Sequence, residues 1–246
     1  MSRQDIQIPT RDGDVRAFAF TPGQGTGPWP AVLFFMDGIG IRPALFEMAE
    51  RLASHGYYVL LPDMFWRFGP YAPVDMTVGD AATRWELLGP RIATTDPEKS
   101  TVDTGAFLKF LSGQPQVKGP KVGTIGYCMG GAMSLRAAAM FPDRVAAAAS
   151  FHGGNLANEA DTSPHLLAPR IKAKVLVAAA DKDPSFPEEQ YVRLDQAFKA
   201  AGVDADMKVY EGALHGYAPP DTAAYDREAS ERHWREMLAL FAGTLK

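Results

Sequence analysis

The sequence holds a single cysteine, Cys128, among 246 residues, which excludes an intramolecular disulfide and a cysteine-based zinc site. None of its apolar runs approaches the ~20 residues that a membrane-spanning helix needs. The opening residues Met1-Ser2-Arg3-Gln4-Asp5 lack the apolar core of a signal peptide. A cytoplasmic location is therefore expected, where a reducing environment suits an unprotected thiol. The formal net charge of −4 carries no signature of a nucleic-acid or anionic-membrane partner. Internal repeats, low-complexity tracts and dividing linkers are also missing, so residues 1–246 read as a single domain. The sequence implies no metal or cofactor, and it is silent on oligomeric state.

What is there belongs to an ordinary globular protein, with 46% hydrophobic and 22% charged residues. Residues 4–9 and 14–21 alternate as two strands about the Arg11-Asp12-Gly13 turn. Apolar runs at 31–36, 57–61, 121–126, 145–151, 174–180 and 205–210 have strand length. Helical patterns fall near 43–54, 99–113, 132–140, 188–201 and 222–242, with a further helix expected in the second half of the irregular stretch 64–97. Strands alternating with helices, most of them apolar enough for burial on both faces, predict an α/β fold. The expected architecture is a mostly parallel, doubly wound sheet with helices on both faces. Ligands in such sheets gather beyond the carboxyl ends of the strands.

Cys128 stands in such a place. Gly126-Tyr127-Cys128-Met129-Gly130-Gly131 closes one strand and opens a helix, so strand, Gly-x-Cys-x-Gly and helix follow one another as in a nucleophile elbow, with sulfur in place of the usual serine oxygen. A free cysteine is otherwise a common core filler. A thiol whose free pKa is about 8.5 needs a base, and the base needs an acid to orient it. In elbow folds the chain order is nucleophile, acid, histidine. Asp181-Lys182-Asp183-Pro184 follows the strand at 174–180, and Glu211-Gly212-Ala213-Leu214-His215 follows the strand at 205–210. His215 fits the base by order and position. His55, His165 and His233 read as solvated, and His152 as a residue at the pocket edge whose place in the chain is wrong for the base. Asp183 is preferred to Asp181 because a loop acid reaches back from beyond the strand end. The oxyanion donors map to the amides of Met129 and Gly38.

These pieces resemble the dienelactone hydrolase family, a cysteine-using branch of the α/β-hydrolase superfamily. The elbow sextet, the Ala180-Asp181-Lys182-Asp183 loop, Tyr210-Glu211-Gly212-Ala213-Leu214-His215, and Gly56-Tyr57 leading to Leu61-Pro62-Asp63 carry the resemblance over residues 5–242. It implies an α/β-hydrolase fold with Cys128 as nucleophile, Asp183 as acid and His215 as base. It also implies a small-molecule ester or lactone substrate, cleaved through a thioacyl intermediate as in a carboxymethylenebutenolidase. Relatives place a thiol-gating glutamate where this chain has Asp37, which is one methylene shorter. Asp37 is thus either a short-reach gate or an Asp-Gly turn residue. The family's arginine after the catalytic histidine is replaced by Pro219, and Arg67, Arg84 and Arg91 have no clear counterpart. Phe65, Trp66, Phe68 and Tyr71 form an aromatic cluster near the expected pocket, and Phe65, Trp66 and Tyr127 are assigned to its wall. Two other activities fit the same residues: hydrolysis of other activated esters such as phosphotriesters, and redox sensing by the thiol.

Overall fold

The apolar run at 31–36 forms the centre of the sheet. In the computed structural model, which describes residues 2–76 and 79–246, it belongs to β3 (Trp29–Phe35), buried from Pro30 onward. Before it, β1 (Ser2–Pro9) and β2 (Asp14–Thr21) make an antiparallel hairpin whose turn is closed by Thr10, which donates from its amide and hydroxyl to the Gly13 carbonyl. After it come α1 (Pro43–Ser54), β4 (Tyr58–Pro62), α2 (Ala81–Ile92), α3 (Pro97–Ser112), β5 (Val117–Tyr127) and α4 (Met129–Met140). The chain continues through β6 (Val145–Phe151), a 3-10 turn at Pro164–Arg170, β7 (Lys174–Ala180), α5 (Glu188–Ala201), β8 (Ala205–Tyr210) and α6 (Arg227–Leu245).

Among the described residues these strands form one sheet of eight in the order β1-β2-β4-β3-β5-β6-β7-β8. β1, β2 and β4 pair antiparallel, and every pair from β4 through β3 to β8 is parallel. Successive residues of a strand face opposite sides of a sheet. In β5, Gly123 lies against Phe241 and Leu245 of α6, while the next residue, Thr124, bonds through its hydroxyl to Ser134 of α4 at 2.8 Å. The sheet is therefore covered on both faces, α6 on one and α4 on the other.

Element boundaries differ from the sequence reading where a cap decides them. Helix α3 begins at Pro97 because Asp96 accepts the Lys99 amide at 2.9 Å, an acidic N-cap followed by a proline that gives up no hydrogen bond there. The last helix starts at Arg227 rather than near 222. Asp226 caps it through the Ala229 amide, and Thr222 instead folds back to donate to the Gly216 carbonyl. Helix α4 starts directly after Cys128, three residues earlier than its run of strong helix formers suggests.

Candidate active site

The backbone of Cys128 holds φ 54° and ψ −119°, between the end of β5 and the first turn of α4. A side-chain-bearing residue in this region is strained, and the surrounding packing holds it there. β5 and α4 meet so closely that a Cβ on Gly126 would run into the Gly130 carbonyl, and one on Gly130 into the carbonyls of Phe35 and Met36. The glycines of the sextet are thus required by contact rather than by turn geometry alone. The Cys128 amide donates to the Phe151 carbonyl at 3.2 Å, fixing the elbow to β6.

The loops after β7 and β8 bring two further residues to this point. Asp183 is buried, and its Oδ2 accepts from His215 Nδ1 at 2.6 Å while its Oδ1 accepts the Ser185 amide at 2.8 Å. The His215 ring also interacts with the Cys128 side chain. Asp181 is spent differently: its carboxylate takes the Gly212 amide and its own amide donates to Ala213, tying the two loops together. Burial alone would lower the pKa of His215. The bond to Asp183, with the interactions from Cys128 and the Asp183 charge, outweighs it and raises the value to about 10. At neutral pH the arrangement therefore favours an imidazolium facing the sulfur.

Asp37 does something other than face the thiol. Arg42 grips it with two bonds, Nη1 to Oδ1 at 2.7 Å and Nη2 to Oδ2 at 2.8 Å, and Oδ1 also accepts the Ile39 amide at 3.0 Å. Of the two readings open at this position, the turn describes this geometry. Arg42 reaches on to Asp221, with Nε to Oδ2 at 2.7 Å and Nη2 to Oδ1 at 3.1 Å. The guanidinium thereby joins the loop after β3 to the loop that follows His215. Both charges of the Arg42–Asp37 pair are buried, and the paired carboxylates hold the Arg42 pKa well above its ordinary value against the opposing effect of burial.

Cys128 borders two cavities. One, of about 310 Å³, is lined by Asp37, Gly38, Ile39, Met76, Trp85, Leu88, Ile92, His152, His215 and residues 222–224. The other, of about 240 Å³, adds Met129, Arg136, Gly154 and Asn155. Gly38 and Met129, the residues expected to supply oxyanion donors, thus each line a cavity shared with Cys128. As the first residue of α4, Met129 has an amide with no carbonyl acceptor within its own helix.

The expected wall of Phe65, Trp66 and Tyr127 is not found there. Phe65 is buried edge-on against Tyr71. Trp66 donates to Asp103 at 3.1 Å and borders a separate cavity with Asp14, Arg16 and Asp63. Tyr127 is core, packed between Phe34 and Phe151 with its hydroxyl on His233 Nε2 at 3.1 Å. Its side chain leaves the strand on the side away from the cavity, as alternation along β5 requires. The apolar wall is supplied instead by α2, whose Trp85, Leu88 and Ile92 follow a helical spacing.

Other residues also depart from expectation. His233 is fully buried rather than solvated, and burial lowers its pKa to about 3. His152 lies in the cavity wall as expected, but wholly enclosed. Of the three arginines considered, Arg84 lines the cavity, Arg67 pairs with Asp12 and Asp103, and Arg91 donates to the Ala72 carbonyl. Arg42 and Trp85 are site residues that sequence reasoning does not single out. The only signal for Arg42 was a basic residue five positions from Asp37, immediately before a proline-started helix. Among the described residues there is no His/Cys/Asp/Glu group fit to hold a metal ion, and no helix is long and apolar enough to cross a membrane.

Comparison with known proteins identifies the family and the fold. The profile of the Dienelactone hydrolase family matches residues 15–245. A carboxymethylenebutenolidase homolog of Xenopus tropicalis is 30% identical over 216 residues, covering 87% of this chain and 78% of the relative. A crystal structure of a dienelactone hydrolase-like promiscuous phosphotriesterase from metagenomic libraries superposes with a TM-score of 0.82 at 27% identity, covering 100% of this chain and 99% of the other. A Klebsiella pneumoniae structure superposes with a TM-score of 0.85 over 98% of both chains, and at 24% identity it speaks to the fold.

Proposed function

The chain belongs to the dienelactone hydrolase family of α/β-hydrolase enzymes, and from that premise we propose that it hydrolyses a lactone or activated carboxylic ester through a thioacyl intermediate on Cys128. The observation that carries this reading is the convergence of Asp183, His215 and Cys128 at a strained elbow, with Asp183 holding His215 by a 2.6 Å bond and His215 interacting in turn with Cys128. The sulfur attacks the carbonyl carbon, and the developing oxyanion is received by the amides of Met129 and Gly38. His215, held by Asp183, gives its proton to the departing alkoxide. Water then takes the place of the alcohol, gives its proton back to His215 and releases the acid, restoring the thiolate. No cofactor enters the scheme.

Enclosure by Trp85, Leu88 and Ile92 favours a substrate with an apolar body. Thiolate attack favours good leaving groups, hence enol esters and lactones over amides. The phosphotriesterase relative favours a second reading, in which the same sulfur attacks an activated phosphorus ester. A panel of a lactone, an aryl ester and a phosphotriester, run on the wild type and on Cys128→Ala, tests both. The ester reading expects lactone and aryl ester turnover that disappears in Cys128→Ala. Full esterase activity in the alanine variant would refute it, and faster turnover of the phosphotriester than of either carboxylic ester would favour the second reading.

A further inference from the structure

His152 is the one residue of the cavity wall that combines full burial, backbone strain and unused bonding capacity. It is 1% exposed, and neither ring nitrogen has a hydrogen-bond partner among the described residues. Its φ is +38°, a conformation side-chain-bearing residues rarely adopt. The amide donates to the Ala178 carbonyl at 2.9 Å, which fixes the backbone between β6 and β7. The ring stands edge-on to His215, with centroids 5.3 Å apart, and edge-on to Tyr217 at 5.0 Å. It also lines the same cavity as Cys128 and His215. A phenylalanine would fill this space without burying two polar atoms, so packing does not account for an imidazole here.

We propose that His152 holds the water that cleaves the thioacyl intermediate. The proposal rests on the ester-hydrolysis reading above. In the acyl-enzyme His215 is neutral, because its proton has left with the alcohol. The attacking water must lie beside both His215 and the carbonyl carbon on Cys128. His152 borders that spot from the other side. Its unprotonated ring nitrogen accepts one hydrogen of the water, leaving the other directed at His215. The water oxygen then bonds to the carbonyl carbon as that second proton passes to His215. Collapse breaks the C–S bond, the electron pair returns to sulfur, and a carboxylic acid departs. Enclosure keeps His152 neutral, since burial presses its pKa well below the ordinary value, and in the resting enzyme the charge on His215 adds to that effect, so an acceptor nitrogen is available. The acylation step does not use this water.

The test separates the two half-reactions on one chromogenic aryl ester. His152→Phe keeps the ring and removes both nitrogens, and His152→Asn keeps a polar group and tolerates a positive φ. For His152→Phe the proposal expects kcat to fall ~10- to 100-fold, the rate equivalent of one lost buried hydrogen bond to the attacking water, with kcat/KM nearly unchanged. A burst approaching one product per active site and a thioacyl adduct accumulating on Cys128 should accompany it, and His152→Asn should recover part of kcat. Parallel loss of kcat and kcat/KM without a burst in either variant would overturn the proposal and leave His152 a structural residue. Wild-type rates of adduct decay in His152→Phe would overturn it too. Failure of the ester reading itself looks different: the wild type would then form no adduct on Cys128.

Discussion

At Cys128 the backbone adopts a conformation that local preference opposes, and the side chain gains by it an interaction with His215. The sequence makes this position legible through its glycines, because only small neighbours allow strand and helix to cross so closely. His215 and Asp183 were legible through chain order alone. The electrostatics follow from burial and pairing, which a sequence does not display. With its pKa raised from about 6.5 to about 10, His215 adds stability that is complete below pH 6.5 and is lost as pH rises through about 10. The difference in thermal midpoint between wild type and His215→Gln should therefore shrink from pH 6 to pH 10.5. The same titration removes the proton needed by the leaving group, so kcat/KM for a poor leaving group should decline on approaching pH 10. His215→Ala should lower kcat/KM by at least ~1,000-fold, since such residues act as a unit.

Between elements, two contacts govern the site's shape. The first is the crossing of β5 and α4. Gly130→Ala places a methyl group against two backbone carbonyls of the chain after β3 and should cost roughly 1–3 kcal/mol, read from urea denaturation. The second is the Asp37–Arg42–Asp221 clamp. Asp37 and Arg42 are both nearly inaccessible, whereas the Asp221 side chain is 39% exposed. Arg42→Met leaves Asp37 as a buried unpaired charge and should destabilise by about 3–5 kcal/mol. The double variant Asp37→Asn with Arg42→Met should lose less than Arg42→Met alone, because no charge is then stranded; the same denaturation experiment measures it. The sequence leaves Asp37 open between a gating carboxylate, as the family resemblance implies, and an Asp-Gly turn residue. An arginine five residues away captures it, and partner choice of that kind depends on the loop's path.

Across the whole molecule, the order of strands and helices was readable because parallel strands buried on both faces announce themselves as apolar runs. Residues 31–36, 145–151 and 174–180 gave nearly their final boundaries for that reason. The cavity was not readable, because its walls come from α2, from His152 after β6 and from residues 222–224, segments that meet only once the sheet is assembled. The aromatic cluster at 65–71 is near Cys128 in expected topology, yet Phe65 is packed in the core and Trp66 faces another cavity. Everything in the functional account depends on a covalent bond to one sulfur. Rapid quenching of the wild type with an aryl ester, followed by peptide mass spectrometry, measures it most directly. The account predicts an acyl adduct on the peptide carrying Cys128, formed and lost within the turnover time. Ester turnover with an adduct on another residue, or with none on Cys128 at any quench time, would contradict it.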